Sequence, residues 1–251
     1  MCLRCTDNKM PGTKERYFRF KQFGVSHAQS SMPVGTDTIL LGSWTDLTGS
    51  NNILEVGTGS GTISLMVAQR SENHTHIEAI DIHEGSCLEA SQNAQNSPWR
   101  SKIKITLCSF QEFMPENHGV YDLIICNPPF FSNSSPSPLL ERNLARHGNT
   151  LSFQDLVVHS TRLLKEGGRL SVILPAWEYP AFKKNCLTKS LYPCRITYVH
   201  GKSGKPAKRV LAEFTYLTNT TEISETTFYH HEENGEWTEE YVRLTRDFHI
   251  V

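Results

Sequence analysis

Asn127-Pro128-Pro129-Phe130 joins a polar amide, two prolines and an aromatic ring at the end of an apolar run. That run, Tyr121 to Cys126, reads as a buried strand. Consecutive prolines cannot extend it, because neither has an N–H to give to a neighbouring strand. The four residues therefore predict a stiff turn at a strand's carboxyl end, which is where open α/β sheets bind ligands. An amide beside a ring in such a turn suits one task, gripping a flat molecule that carries an amino group.

A second turn has the composition of a ligand cradle. Glu55-Val56-Gly57-Thr58-Gly59-Ser60-Gly61 leaves a predicted strand and opens a predicted helix. Glycines there allow tight turning and close approach of the backbone to a ligand. A dinucleotide fingerprint needs glycine at positions 57, 59 and 62, but position 62 is Thr62. Asp81 falls at the tip of the next strand, where a carboxylate can accept both hydroxyls of a ribose. Its competing role is a helix N-cap, with Glu84 completing a capping box. Both roles stay open, with ribose binding favoured by the neighbouring glycine turn.

The elements that must hold these turns alternate. Strands are expected at 52–56, 77–81, 103–107 and 122–126, with helices at 62–69 and 84–96 between them. An amphipathic helix is expected from Phe153 to Leu164, stopped by Gly167-Gly168 as a C-cap. Strands then follow at 169–174, 195–200 and 209–217. This order predicts an α/β fold with a mostly parallel, doubly wound sheet and an antiparallel strand near the end. Residues 133–138, rich in Ser and Pro, follow the Asn127 turn and read as a substrate lid or an ordinary surface loop.

At 251 residues, with 38% apolar and 20% charged residues, the chain can bury a full core as one domain. No apolar run approaches the roughly 20 residues that span a bilayer, so no membrane partner and a cytoplasmic location are expected. Cys2 and Cys5 form a lone CxxC that lacks a second ligand pair at zinc spacing, so no metal is expected. The other five cysteines read as small core or edge residues. Net charge is −1, but from Tyr179 to Ala212 there are eight basic residues and no acidic one, and from Glu213 onward the sign reverses.

Glu55 to Gly61, Asp81 and Asn127 to Phe130, in this order and spacing, resemble the class I S-adenosylmethionine-dependent methyltransferases that act on amino groups. The resemblance implies a Rossmann-like sheet of seven strands, one of them antiparallel. It implies that Glu55, Gly57, Gly59 and Gly61 line the methionine end of S-adenosylmethionine, that Asp81 and Ile82 meet the nucleoside, and that Asn127 also borders the cofactor. It also implies that Ser109 and Phe110 pack on the cofactor adenine, although Ser109 replaces the acidic residue of many relatives. Phe18 to Phe23, Met32 to Trp44, Ala145-Arg146-His147 and Lys205 to Arg209 are closer still to the bacterial tRNA(Val) adenine-N6 methyltransferases. Gly35, Thr36 and Asp37 match that family's cofactor-covering segment; Thr36 or Asp37 as the cap of an N-terminal helix is the plainer alternative.

The implied reaction is methylation of the N6 amino group of an adenine next to the anticodon, tRNA position 37. The Asn127 side-chain oxygen and the Pro128 carbonyl would accept the two amino hydrogens, and Phe130 would stack on the base. Lys202, Lys205, Lys208 and Arg209 would hold phosphates of the anticodon stem-loop, with Arg142, Arg146 and Phe20 as further RNA contacts. The expected layout is a disordered tail at 1–16 and one domain at 17–251. That domain divides into a covering segment at 17–50, a core at 51–217 and an acidic extension at 218–251. A monomer is expected. The rivals are a release-factor glutamine or ribosomal-RNA guanine methyltransferase, a nicotinamide-dependent enzyme, which Thr62 disfavours, and a non-catalytic RNA-binding protein.

Overall fold

A computed structural model of the chain describes residues 16–30, 33–115, 118–129, 151–216 and 222–248. The expected tail lies outside these, apart from Arg16, as do Phe130, Arg142, Arg146 and the Ser/Pro-rich stretch at 133–138.

Strands β1 (Tyr17–Arg19) and β2 (Gly24–Ser26) form a small antiparallel hairpin. The main sheet contains β3 (Asn52–Val56), β4 (His76–Asp81), β5 (Ile103–Leu107), β6 (Tyr121–Cys126), β7 (Leu164–Pro175), β8 (Leu191–His200), β9 (Ala207–Tyr216) and β10 (Ser224–Tyr229). Their spatial order is β10-β8-β9-β7-β6-β3-β4-β5. Strand β9 runs antiparallel to β7 and β8, and every other pair is parallel. Seven strands thus follow the expected plan. The acidic C-terminal stretch adds an eighth, β10, which pairs along the outer edge of β8.

Helices α1 (Thr36–Trp44), α2 (Thr62–Arg70), α3 (Glu84–Gln95), α4 (Phe153–Leu163), α5 (Tyr179–Leu187) and α6 (Glu239–Thr245) complete the described elements. The strands are apolar on both faces because helices cover both. Leu54, Val56, Ile124 and Cys126 pack with Leu156, Val157 and Phe182 of α4 and α5. The alternate residues Ile53, Leu123 and Ile125 pack with Leu40, Leu41, Ile63 and Val67 of α1 and α2. This period of two fixes the register, since a slip of one residue would exchange the faces.

Three local expectations change. Helix α4 ends at Leu163, not at the glycine pair, and β7 begins at once. The pairing of β7 with β6 skips from Leu164 to Arg169, and Gly167 adopts φ +75°, so the glycines form a bulge rather than a helix cap. Helix α1 starts after Gly35 with no side-chain cap from Thr36 or Asp37. The N-cap of α3 is His83, whose ring accepts from the Ser86 N–H, so Asp81 is not that helix's cap.

Candidate active site at the carboxyl edge of the sheet

Strands β6, β3, β4 and β5 are neighbours, and their register brings their last residues level: Cys126 with Val56, Val56 with Ile80, and Asp81 with Leu107. The turns that follow therefore open on one edge. In spatial order they carry Asn127, then Gly57 to Gly61, then Asp81 and Ile82, then Ser109 and Phe110. At about 4.8 Å between strands, this row spans roughly 15 Å, enough for an extended ligand.

The glycine turn is held to β4 through its backbone. Gly57 and Thr58 N–H groups donate to the Ile80 carbonyl at 2.9 and 3.0 Å. Gly57, Gly59 and Gly61 adopt φ of +75°, +54° and +79°, a region that side chains rarely enter. A Cβ on Gly57 or Gly59 would meet nothing within 4 Å, so open space stands over the backbone there. The Asp81 carboxylate accepts the Gly59 N–H at 2.8 Å and the His83 N–H at 2.9 Å, which ties the turn to β4. A carboxylate has about four acceptor positions, so two remain. Ile82 beside it is 54% exposed, an apolar side chain facing solvent next to a polar anchor.

Glu55 does not line this row. Its side chain is buried and accepts from the Thr58 hydroxyl at 2.8 Å, the Ser64 N–H at 2.9 Å and the Ser64 hydroxyl. Burial pushes its pKa up to about 7, against the lowering by these donors. The expected direct contact is thereby revised: Glu55 fixes the turn and the first residues of α2. Ser109 is also buried, and its hydroxyl donates to Glu112 at 2.8 Å, which brings a carboxylate to the loop that lacks one at position 109. Phe110 is buried against His159, at 5.6 Å between ring centroids.

At the other end of the row, Asn127 is half-buried, Pro128 buried and Pro129 exposed. The Asn127 Oδ1 is fully buried and has no hydrogen-bond partner among the described residues. A buried acceptor left unmade costs about 1–3 kcal/mol, so this atom is open to a donor that the described residues do not supply.

The expected RNA residues divide. Lys202, Lys205 and Lys208 are exposed in or beside the β8–β9 loop, which lies on the carboxyl edge. Lys202 donates to the Glu233 carbonyl at 3.2 Å. Arg209 instead pairs with Asp37 at 2.7 Å, binding β9 to the start of α1. That pair engages both side chains within the fold, and each stays part-exposed. Phe20 is 2% exposed and stacks on Phe23 at 4.4 Å, beside Phe248. It is a core residue and cannot meet RNA. Arg195 likewise lies over the Trp44 ring, at 4.1 Å.

Two residues of α3 went unnoticed in the sequence. The buried Glu89 accepts backbone N–H groups of Ala28 at 2.7 Å and Ser30 at 2.8 Å, and the Ser26 hydroxyl at 3.0 Å. Asn93, one turn on, bridges the Ser26 and Ser60 carbonyls at 2.8 and 2.9 Å. Together they fasten the segment before α1 to the glycine turn. Their i, i+4 spacing was visible, but an exposed helix face has the same pattern.

Burial raises the thiol pKa of Cys87 and Cys194 to about 11 and that of Cys126 and Cys186 further, so none is a ready nucleophile. No helix among the described residues is long and apolar enough to cross a membrane.

A methyltransferase-domain family model matches residues 47–242. A protein of Bacteroides fragilis named tRNA1(Val) (adenine(37)-N6)-methyltransferase is 36% identical over 242 residues, covering 93% of this chain and 98% of the relative. Proteins of the same name from Phocaeicola vulgatus and Mannheimia succiniciproducens are 38% identical, over 93% and 95% of this chain and 97% and 96% of theirs. Among solved structures, one described as a predicted O-methyltransferase, from Agrobacterium tumefaciens, superposes with a TM-score of 0.65 at 17% identity, over 84% of this chain and 96% of that one. That likeness concerns the fold.

Proposed function

The chain belongs to the tRNA1(Val) (adenine(37)-N6)-methyltransferase family, and on that premise we propose that it methylates N6 of adenine 37 in tRNA1(Val), at the anticodon loop. S-adenosylmethionine supplies an electrophilic methyl group when bound. The residues of the edge fit that donor. Open space over Gly57 and Gly59 admits it against the backbone. The two spare acceptor positions of Asp81 suit ribose hydroxyls, and the exposed Ile82 suits an adenine face. Glu112, paired with Ser109, offers a carboxylate in that loop for an adenine amino group.

The observation that carries the reading is the orphaned Asn127 Oδ1. The amino nitrogen of adenine is a poor nucleophile because its lone pair is delocalised into the ring. Asn127 Oδ1 and the Pro128 carbonyl accept its two hydrogens, draw the nitrogen toward tetrahedral geometry and aim the lone pair along the glycine row. Positioning and preorganised acceptors then provide most of the acceleration. No strong base is required, since the alkylated amine sheds its proton readily. Phe130 remains the proposed stacking partner of the base.

An anticodon-loop base is already unpaired, which lowers the cost of presenting it. Lys202, Lys205 and Lys208 supply the phosphate contacts, and Arg142 and Arg146 remain candidates for the same task. The protein works as a cytoplasmic monomer of one methyltransferase domain. Incubation with S-adenosylmethionine and total tRNA, followed by nucleoside mass spectrometry, tests the reading. N6-methyladenosine is the expected product; methylated guanine, or methylglutamine on a protein, sinks it.

A further inference from the structure

One large side chain on the same edge takes no part in the methyl transfer described above. Trp177 is 65% exposed, two residues past the end of β7. Strand β7 neighbours β6 and outlasts it: Cys126 pairs with Val172, and β7 continues through Ile173, Leu174 and Pro175. With about 3.3 Å per residue and about 4.8 Å between strands, Trp177 stands roughly 10–15 Å from the Asn127 turn. That is the reach of a nucleotide flanking the target base.

Its surroundings charge the site. The Glu178 carboxyl lies beside the Trp177 side chain, and burial pushes its pKa up. On the far side, Pro175 pairs with Arg209, and the Ala176 N–H donates to the Lys208 carbonyl at 3.1 Å. The exposed Lys208 thus lies on the strand beside Trp177, with its amino end extended toward Gly201 of the β8–β9 loop. Glu232, Glu233, Glu239 and Glu240 line a hollow at the end of β10 and the start of α6, which Ser203 of the β8–β9 loop and Arg243 also border. A scattered exposed apolar residue needs no explanation. An exposed tryptophan on the edge that carries the base-gripping turn, one strand from the basic loop, has the make-up of a platform for unpaired bases.

We propose that Trp177 stacks on an unpaired nucleobase flanking the target adenine, with Lys208 on the adjoining phosphate. The platform makes Trp177 a recognition residue for the single-stranded context of the target, not only for the adenine itself. The inference rests on the RNA-methylating reading above.

The test compares wild type, Trp177→Ala, Trp177→Phe and Lys208→Ala for binding to an anticodon stem-loop RNA across a salt series. Stacking is worth about 1–3 kcal/mol per base, so Trp177→Ala should weaken binding about 5- to 150-fold. The phenylalanine variant should keep most of the affinity. The salt slope should stay unchanged in both tryptophan variants and shrink by roughly 0.7–0.9 in Lys208→Ala. Calorimetric affinity for S-adenosylmethionine should not move in any of them. With the nucleotide on one or the other side of the target made abasic, one of the two RNAs should erase the difference between wild type and Trp177→Ala. Equal RNA affinity of wild type and Trp177→Ala overturns the proposal, as does a loss that phenylalanine does not restore or that neither abasic RNA erases. If wild type itself methylates no tRNA, the functional reading fails instead.

Discussion

Replacing Glu55 with glutamine removes a charge from beneath the glycine turn while keeping the side chain's length. Burial lifts the Glu55 carboxyl from its ordinary 4.5 to about 7, even though Ser64 and Thr58 donate to it. Between those two values the folded protein holds a proton that the unfolded chain has released. The folded state is therefore favoured at low pH, loses stability as pH rises through this window and levels off above it. At 1.36 kcal/mol per pKa unit the whole loss is roughly 3 kcal/mol, of which about 2.5 falls between pH 5 and pH 8. Urea unfolding of wild type and Glu55→Gln at both pH values measures it. His27 and His159 titrate low because burial disfavours their charged forms. They are common to both proteins and cancel in the difference. Wild-type stability relative to the variant should fall by roughly 2–3 kcal/mol from pH 5 to pH 8. A difference that stays constant would refute a buried carboxyl titrating near neutrality.

The remaining expectations concern the two ends of the site. Asn127→Ala should lower kcat by on the order of 10²–10³-fold or more while calorimetric affinity for S-adenosylmethionine survives; a collapse of both would place Asn127 in the cofactor site or the fold. Neutralising Lys205 and Lys208 should reduce the salt slope of tRNA binding by about 0.7–0.9 per residue, and an unchanged slope would return the loop to an ordinary solvated connection. Arg209 is expected to behave differently, because Asp37 already occupies it. Arg209→Ala should leave the salt slope alone, and a double-mutant cycle with Asp37→Ala should give a coupling of about 0.5–1 kcal/mol in thermal or urea unfolding; no coupling would mean that the pair does not hold α1 to β9.

What could be read from the sequence were features whose meaning is local. Asn127-Pro128-Pro129, the glycines from 57 to 61 and Asp81 each sit at a strand end that apolar runs mark on their own, so the row of turns was legible before its geometry. Strand β10 was not, because Ser224 to Tyr229 is polar, mostly exposed and lies on an outer edge, with no apolar run to mark it. Residues whose partners lie far along the chain could not be matched to those partners. Arg209 finds Asp37 at a separation of 172 residues, and Phe20 meets Phe248 from the opposite end. A basic residue in a basic loop and an aromatic in an RNA-like segment look functional until tertiary contacts take them up. Glu55 was placed at the right turn but on the wrong side of it, since sequence spacing does not say which way a strand residue faces when both faces are buried.

The most direct test of the central claim uses two transcripts of tRNA1(Val), one with adenine at position 37 and one with guanine there, incubated with methyl-labelled S-adenosylmethionine. The label should reach one methyl group per adenine-37 transcript, map to N6 of that base by nuclease digestion and mass spectrometry, and be absent from the guanine-37 transcript. Equal labelling of both transcripts, labelling at another nucleotide, or none with a protein that binds S-adenosylmethionine would contradict the account.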